Sequence, residues 1–216
     1  VKRKDHPVKI RKAVETDTDD IYRIHTAAIQ NTCSSHYIPE EIKAWVADKI
    51  QIVTNIYKTG ELFIAAAEDN TVLGFGHATP DTILDEERRQ QRNYIAVQIK
   101  GLFIDPQYNH KGVGTTLINH LEKTASEQGA NMLTVLSTLN ALEFDRKCGF
   151  DLLEIVKHQV SDQVHLQCRK MIKNPWTDNT DGRSSKLYVD VCNVNTSVRL
   201  CMYEGKIRSE EHTSEL

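Results

Sequence analysis

Hydrophobic residues along this chain recur at the spacing of a strand in some segments and at the spacing of a helix in others. Short apolar or alternating runs predict seven strands, over Val8–Val14, Glu61–Glu68, Val72–Thr79, Ala96–Ile104, Met132–Ser137, Phe150–Val156 and Gln163–Met171. Spacings of three and four residues predict four helices between the strands. The first is capped by Thr16 or Thr18 and turns one apolar side toward the core, formed by Ile21, Ile24, Ala28 and Ile29. The others run from Pro39 to about Lys49, over Thr115–Gln128 and over Ala141–Cys148. This interleaving predicts an α/β (α+β) domain around one mixed sheet flanked by helices.

Turn residues support these boundaries. Asp69-Asn70 separates two apolar runs as in a hairpin, and Gly129 follows the third helix where a C-terminal cap is expected. The charged stretch at residues 80–95 is either a mobile loop or a short helix over 83–91.

The end of the chain differs in composition from the rest. We expect the folded domain to span residues 8–173. Residues 174–207 are rich in Asn, Thr, Asp and Ser, which favours a disordered tail or read-through sequence. Residues 208–216 match the translation of a common sequencing adapter, so we expect an artefact there.

Charge and composition exclude several classes of function. The net charge is −3, so no nucleic-acid partner is expected, and no run approaches the roughly 20 apolar residues that span a bilayer. The five cysteines are odd in number and lack C-x-x-C spacing, which indicates reduced thiols in a cytoplasmic protein. The nine histidines show no ligand spacing, so no metal is expected.

The segment Leu102–Leu117 carries the strongest chemical signal. An apolar strand reaches a turn at Asp105-Pro106, a basic loop with Gly112 and Gly114 follows, and then a helix begins. The first amides of a helix are unpaired and its dipole is positive there, so this order predicts an anion site that fits a diphosphate.

A second segment downstream makes that interpretation more specific. Asn109-His110-Lys111-Gly112-Val113-Gly114 together with Asn140, Ala141, Phe144, Gly149 and Phe150 resembles the two motifs of the GNAT acyltransferase family. The family's usual Arg or Gln is Asn109 here, and its usual Tyr after Phe144 is Asp145. The resemblance covers roughly residues 8–172 and implies the acyl-CoA N-acyltransferase fold with a mostly antiparallel central sheet.

The resemblance implies acetyl-CoA as the acyl donor. The donor-binding residues that it implies are Leu102, Phe103 and Ile104 on the strand, Asn109, His110, Lys111, Gly112, Val113, Gly114 and Thr115 in the loop and helix start, and Asn140, Phe144 and Lys147 downstream. Asn140 could equally cap the helix from Ala141, Phe144 could be a core residue, and Lys147 could be a surface lysine.

Proton transfer has weaker signals. Many relatives use a carboxylate on the fourth strand as base, where this chain has Gln98 and Lys100. The catalytic candidates are His36 and Tyr37, which lie in the loop bordering the acceptor site in this family, and Asp145, which could donate a proton only with a raised pKa. His25 and His77 are alternatives to His36.

The function expected from these residues is direct acetyl transfer to a primary amine. We expect a small-molecule acceptor, because the stretch at residues 80–95 could close over a compact pocket, and the resemblance also allows a homodimer through the closing hairpin. The alternatives are a peptide or protein N-acetyltransferase, a CoA-binding sensor or interaction module without catalysis, and a similar fold that binds no CoA.

Overall fold

A computed structural model of the chain describes residues 8–47, 61–81 and 95–174, all within one compact unit, Val1–Pro175. The strands are β1 Lys9–Lys12, β2 Leu62–Ala66, β3 Val72–Pro80, β4 Ala96–Ile104, β5 Met132–Thr138, β6 Asp151–Gln159 and β7 His165–Lys173. The helices are α1 Thr18–Ala28, α2 Pro39–Ala47, α3 Val113–Glu127 and α4 Leu142–Lys147, with a π-helical turn at Ile29–Cys33 and 3-10 turns at Glu15–Asp17 and Pro106–Tyr108.

The strands form one mixed sheet in the order β1-β2-β3-β4-β5-β7-β6. Neighbouring strands are antiparallel except β4 and β5, which run parallel. Helix α3 makes the crossover between these two strands, as parallel pairing requires. The predicted mixed, mostly antiparallel sheet with flanking helices is confirmed.

Strands β4 and β5 separate part-way along their length. They pair only over Ala96–Ile99 and Met132–Val135, and the rest of β5 pairs with β7 alone. On the β3 side, His77 pairs with Gly101 and Ala78 with Ile99, so Lys100 is the extra residue of a bulge. A bulge bends its strand and increases its twist. The residues from Lys100 to Ile104 therefore have no strand partner on the β5 side within the described sheet.

Each face of the sheet packs against different helices. On one face, Ile21 and Ile24 of α1 pack against Leu62, Ile64 and Phe75. On the other, a Cβ placed at Gly76 would contact Leu117 and Leu121 of α3. We call these the α1 face and the α3 face.

The turn predictions at glycines and at the β2–β3 hairpin are confirmed. Asn70 has a φ of 66° between β2 and β3, and Gly129 and Gly149 end their helices with φ of 81° and 88°. At the two glycines, the left-handed conformation lets the following amides bond the last helical carbonyls.

The predicted N-cap of α1 is wrong. Neither Thr16 nor Thr18 caps α1, since Asp17 is its N-cap and Thr18 its first residue. The carboxylate of Asp17 instead bonds the guanidinium of Arg11, which holds the pKa of Asp17 below its usual value.

Helix α3 begins at Val113 with Gly112 as N-cap, two residues before the predicted start at Thr115. Ala141, rather than Asn140, is the N-cap of α4. The predicted end of the second helix near Lys49, the stretch from 82 to 94 and the tail from 175 lie outside the described residues.

Candidate functional site

The glycine loop opens directly onto the start of α3. Gly112 has a φ of 83°, which favours glycine, and a Cβ built there would meet nothing within 4 Å. The amides of Val113, Gly114 and Thr115 occupy the first helical positions, where no intrahelical acceptor exists. The loop therefore presents outward-facing donors beside an open space, as an anionic group requires.

The basic residues of the loop lie close to this opening. Lys111 and His110 are both exposed, and His110 has a φ of 59°. The ammonium of Lys111 lies 4.8 Å from the centre of the Tyr108 ring, where a cation is attracted to the aromatic face. Asn109 ends the preceding 3-10 turn, and its amide donates to the Pro106 carbonyl.

A buried carboxylate anchors the start of the loop. Asp105 follows β4 directly, and its Oδ1 accepts a hydrogen bond from the Gln107 amide at 3.0 Å. Its Oδ2 lies 2.5 Å from Nη1 of Arg23 in α1. This contact ties the loop to α1, and the sequence gives no local signal for it because the two residues lie far apart in the chain.

Helix α4 closes the other side of the opening. The Phe144 ring lies against Gly114, where an added Cβ would come within 3.2 Å of it. Asn140 is not used as a cap, and its Oδ1 is buried with no hydrogen-bond partner among the described residues. Lys147 is exposed and pairs with Glu143 at 2.6 Å. A buried acceptor such as Asn140 Oδ1 is unfavourable unless something donates to it.

The strand residues Leu102, Phe103 and Ile104 line the gap between β4 and β5. Their side chains alternate: Leu102 lies near Gly76 on the α3 face, while Phe103 stacks on Phe75 on the α1 face. Their backbone edge toward β5 has no strand partner in the described sheet. We call this edge, the loop 109–115, Asn140 and Phe144 the cradle; within it, Gly114 lies against both Phe144 and Ile104.

Tyr37 lies in a buried cluster with Cys33, Leu166 and Cys168. Its hydroxyl accepts from the Leu139 amide at 3.0 Å and donates to the Gln167 carbonyl at 2.8 Å. Burial raises the pKa of this phenol above its usual value. The hydroxyl therefore joins the loop after the π-helical turn to the ends of β5 and β7.

His36 is exposed next to Tyr37. Its Nδ1 lies 2.8 Å from Ser35 Oγ, also at the surface. The alternative His25 is fully buried and packs on the Phe103 ring with centroids 4.8 Å apart.

Asp145 lies on the buried side of α4 and is not exposed in the gap between β4 and β5. Its carboxylate bonds Ser137 of β5, and burial raises the pKa of Asp145 to about 6. The raised value is in the direction that a proton donor would need, yet most of the population is still ionised at pH 7. Ser137 as a partner could not be predicted, because the contact depends on how α4 packs.

Polar side chains are also buried on the α1 face. Thr134 of β5 pairs in register with Gln98 of β4, and Gln98 pairs with Thr79 of β3, so all three point to one face. Thr134 Oγ1 donates to Asp81 Oδ2 at 2.5 Å. Sequence reasoning missed Asp81 and Thr134, since nothing local marks a polar strand residue as buried. We call His77, Gln98, Thr134 and Asp81 the polar face.

The described ranges hold neither a metal cluster nor a membrane-spanning helix. Residues 8–47, 61–81 and 95–174 contain no group of three or more His, Cys, Asp or Glu placed to hold a metal ion. Among the same residues, no helix has the length and apolar content needed to cross a bilayer.

Comparison with known proteins decides what this arrangement represents. The model of the acetyltransferase (GNAT) family matches residues 19–150, which include β4, the glycine loop, α3 and α4. The chain belongs to the GNAT family. Members transfer an acetyl group from acetyl-CoA, so the chain is an acetyl-CoA-dependent N-acetyltransferase by this membership.

Curated relatives agree with the family assignment. The chain is 27% identical over 162 residues to the uncharacterized N-acetyltransferase YafP of Escherichia coli (strain K12), covering 75% of this chain and 88% of that protein. It is 24% identical over 131 residues to spermidine N(1)-acetyltransferase of Thermoplasma acidophilum, covering 56% of this chain and 73% of that protein.

Solved GNAT structures share the fold. A GCN5-related N-acetyltransferase from Rhodopseudomonas palustris superposes with a TM-score of 0.64 at 27% identity, covering 77% of this chain and 94% of that one. The PaiA N-acetyltransferase of Thermoplasma acidophilum, solved with coenzyme A, has a TM-score of 0.54 at 19% identity and covers 78% and 99%. The second likeness shows the fold alone.

Proposed function

We propose that this GNAT protein acetylates a small-molecule primary amine and holds acetyl-CoA in the cradle. The observation that carries the donor assignment is the pairing of an open left-handed Gly112 with a buried Asn140 Oδ1 that has no partner among the described residues. The unpaired acceptor is unfavourable in an empty protein, whereas the open glycine leaves room for a ligand at the helix start. Both features are explained by a bound molecule with a diphosphate and amide N–H groups.

Each part of the cradle has a distinct task in this proposal. The amides of Val113, Gly114 and Thr115 bind the diphosphate, helped by the charge of Lys111. The backbone edge of Leu102–Ile104 and the Asn140 side chain bind the amide groups of the pantetheine arm. Phe144 packs beside that arm and fixes its path against Gly114. Acetyl-CoA, when bound, supplies an activated acetyl group for transfer.

The catalytic candidates are unequal in this proposal. We assign Tyr37 a structural role, because its hydroxyl is fully used by two backbone groups. His36 is exposed, with Nδ1 beside Ser35 Oγ, so it is better placed than Tyr37 or Asp145 to exchange protons with solvent. Asp145 bonds Ser137 below α4, and we assign it to positioning that helix rather than to proton donation.

A small acceptor is favoured by the aromatic lining above β4. Trp45 of α2 lies 6.4 Å from Phe103, and Tyr37 lies 5.9 Å from Trp45, measured between ring centroids. Ring faces and edges of this kind suit a compact amine with apolar or cationic character. A relative named for spermidine acetylation supports including polyamines among the acceptors.

An acetylation panel tests this function. The full chain is incubated with acetyl-CoA and spermidine, an arylalkylamine, an N-terminal peptide amine or a blocked-lysine peptide, and thiol release is followed against a blank without protein. We expect turnover with at least one small amine and a kcat/KM at least tenfold lower for both peptides. Faster peptide turnover would make this a peptide acetyltransferase. Binding of acetyl-CoA without any turnover would favour a CoA-binding sensor.

The proposal includes a cytoplasmic location and a homodimer. Cys33, Cys148 and Cys168 carry free thiols, which fits a reducing compartment and can be checked by maleimide labelling in intact cells. The last strand of the described sheet, β6, exposes Leu152 and Ile155. Light scattering of the full chain tests the dimer, and a monomer at micromolar concentration would contradict it.

A further inference from the structure

The least satisfied polar group on the α1 face belongs to Gln98. Its side chain is 1% exposed, and neither its amide oxygen nor its amide nitrogen has a hydrogen-bond partner among the described residues. An unpaired buried amide is destabilising, because it has lost its bonds to water without replacement. Such a group survives most readily where a ligand completes its bonding.

A second unsatisfied group lies diagonally across from Gln98. His77 lies on β3 two residues before Thr79, the register partner of Gln98, so the side chains of His77 and Gln98 share the α1 face. His77 Nε2 is also buried without a hydrogen-bond partner in the described part of the chain. Two neutral groups on neighbouring strands thus offer a carbonyl, an amide N–H and an imidazole nitrogen.

The position of this pair relates it to the transfer site. Pairing of β4 with β5 ends at Ile99, one residue after Gln98, and the unpartnered edge of β4 begins at Lys100. The cradle loop lies at the opposite end of that edge. A donor arm that runs from the loop along Leu102–Ile104 therefore carries its reactive end toward Gln98 and His77.

We propose that Gln98 and His77 form the hydrogen-bonding subsite for the acceptor, with Gln98 binding the attacking amine in its neutral form. This inference rests on the proposed function. It makes Gln98 a specificity-determining residue: an amide oxygen accepts an N–H from a neutral amine without supplying the negative charge that would favour an ammonium. The chemical class selected is an amine of low basicity, or one that reaches the pocket already deprotonated.

The charges around the pair bear on this selectivity. Burial and the charge of Lys100 lower the pKa of His77 to about 4, so His77 is neutral at pH 7. Among the described residues, the other charged or titratable groups on this face include Asp81, bonded to Thr134, Lys170, paired with Glu154 at 3.7 Å, His25 on α1, Arg11 of β1, bonded to Asp17, and Cys168 of β7. Neither member of the pair is a base of matching strength at neutral pH. In this proposal the ammonium proton is therefore lost to solvent before the amine binds, and the proton released on amide formation ends on the departing CoA thiol.

Gln98→Met tests the subsite with the best amine from the panel. The substitution keeps length and removes both polar atoms. We expect kcat/KM for the amine to fall 10- to 100-fold, the KM for acetyl-CoA to change less than twofold, and the thermal midpoint to stay level or rise. Gln159→Met, at an exposed position on β6, is the matched control and should change none of these values.

Gln98→Glu is the second variant, because it retains an acceptor oxygen and adds charge. It should recover part of the lost activity and shift the acidic limb of the pH profile of kcat/KM by at least half a unit, which a structural role would not do. Acceptor kinetics within twofold of wild type in Gln98→Met would overturn the subsite. If the wild type binds acetyl-CoA but acetylates no amine, the proposed function fails. A lower thermal midpoint of unfolding for Gln98→Met would separately show that the amide of Gln98 has a structural role.

Discussion

The cradle and the polar face are built from different parts of the chain. In the cradle, most of the polar groups that would touch a ligand belong to the backbone at the start of α3 and along β4, positioned by Gly112 and by the bulge at Lys100, and the Asn140 side chain adds one acceptor. On the polar face they are buried side chains, of which Gln98 and His77 have unpaired atoms. Backbone recognition tolerates many side chains, whereas side-chain recognition sets which molecule fits. This contrast explains how a family can keep one donor and vary its acceptors.

The largest expected effect comes from a substitution that tests backbone recognition in the cradle. Gly112→Val adds a branched side chain to the open space and forces a φ of 83° on a residue that disfavours it. We expect acetyl-CoA affinity to fall at least 100-fold, measured by calorimetry. Gly129→Val is the matched control, since Gly129 has a φ of 81° at the far end of the same helix. Both variants should lose similar stability, and equal loss of binding in both would remove the cradle.

A second experiment measures what burial of a polar side chain costs. The pKa of Asp145 is about 6 in the folded protein, against roughly 3.9 in an unfolded chain. Because the folded state holds the proton more tightly, the free energy of unfolding falls as pH rises from about 4 to about 6 and is level above. Asp145→Asn should therefore be more stable than wild type at pH 7.5 by about 2–3 kcal/mol.

Urea unfolding of both proteins at pH 4 and pH 7.5 gives that comparison. At pH 4 the two should differ little, since the aspartate is then largely protonated in the folded protein. Asp162→Asn, at an exposed turn, serves as the control. A constant difference at both pH values would show that Asp145 is not held in its neutral form by burial.

A smaller effect is expected at Tyr37, outside both regions. Tyr37→Phe leaves the Leu139 amide and the Gln167 carbonyl without their partner. We expect a loss of about 1–3 kcal/mol in stability and a change in kcat below fivefold. Thermal unfolding and steady-state kinetics on one preparation distinguish a structural role of Tyr37 from a catalytic one. If Tyr37 were the proton donor, the variant would lose roughly 100-fold or more in kcat.

The cradle could be predicted from sequence because its signals are local. The two glycines, the Asp105-Pro106 turn and the spacing from Asn140 to Phe144 each lie within a few residues of one another. The predicted start of α3 is two residues late, because Val113 and Gly114 are typical of a loop unless the left-handed conformation of Gly112 is known. The strand limits Ala96–Ile104 were predicted without error because the run is both apolar and bounded by turn residues.

The polar face could not be predicted in the same way. Asp81 and Thr134 are far apart in the chain and meet only through the register of β3, β4 and β5. The same holds for Tyr37, a loop residue whose burial depends on β7, and for the unpaired Oδ1 of Asn140, a residue that the motif marks without excluding a role as a cap. Unsatisfied hydrogen bonding is a property of packing, so only coordinates reveal it.

The most direct test of the central claim is a parallel titration of acetyl-CoA into the full-length wild-type protein and Asn140→Leu, followed by calorimetry. We predict binding to one site in the wild type, about tenfold weaker in the variant because one hydrogen bond to a buried acceptor is lost, with a thermal midpoint that is unchanged or higher. Equal affinities would remove Asn140 from the cradle. Absence of binding to the wild type would contradict the assignment of the cradle as the acetyl-CoA site.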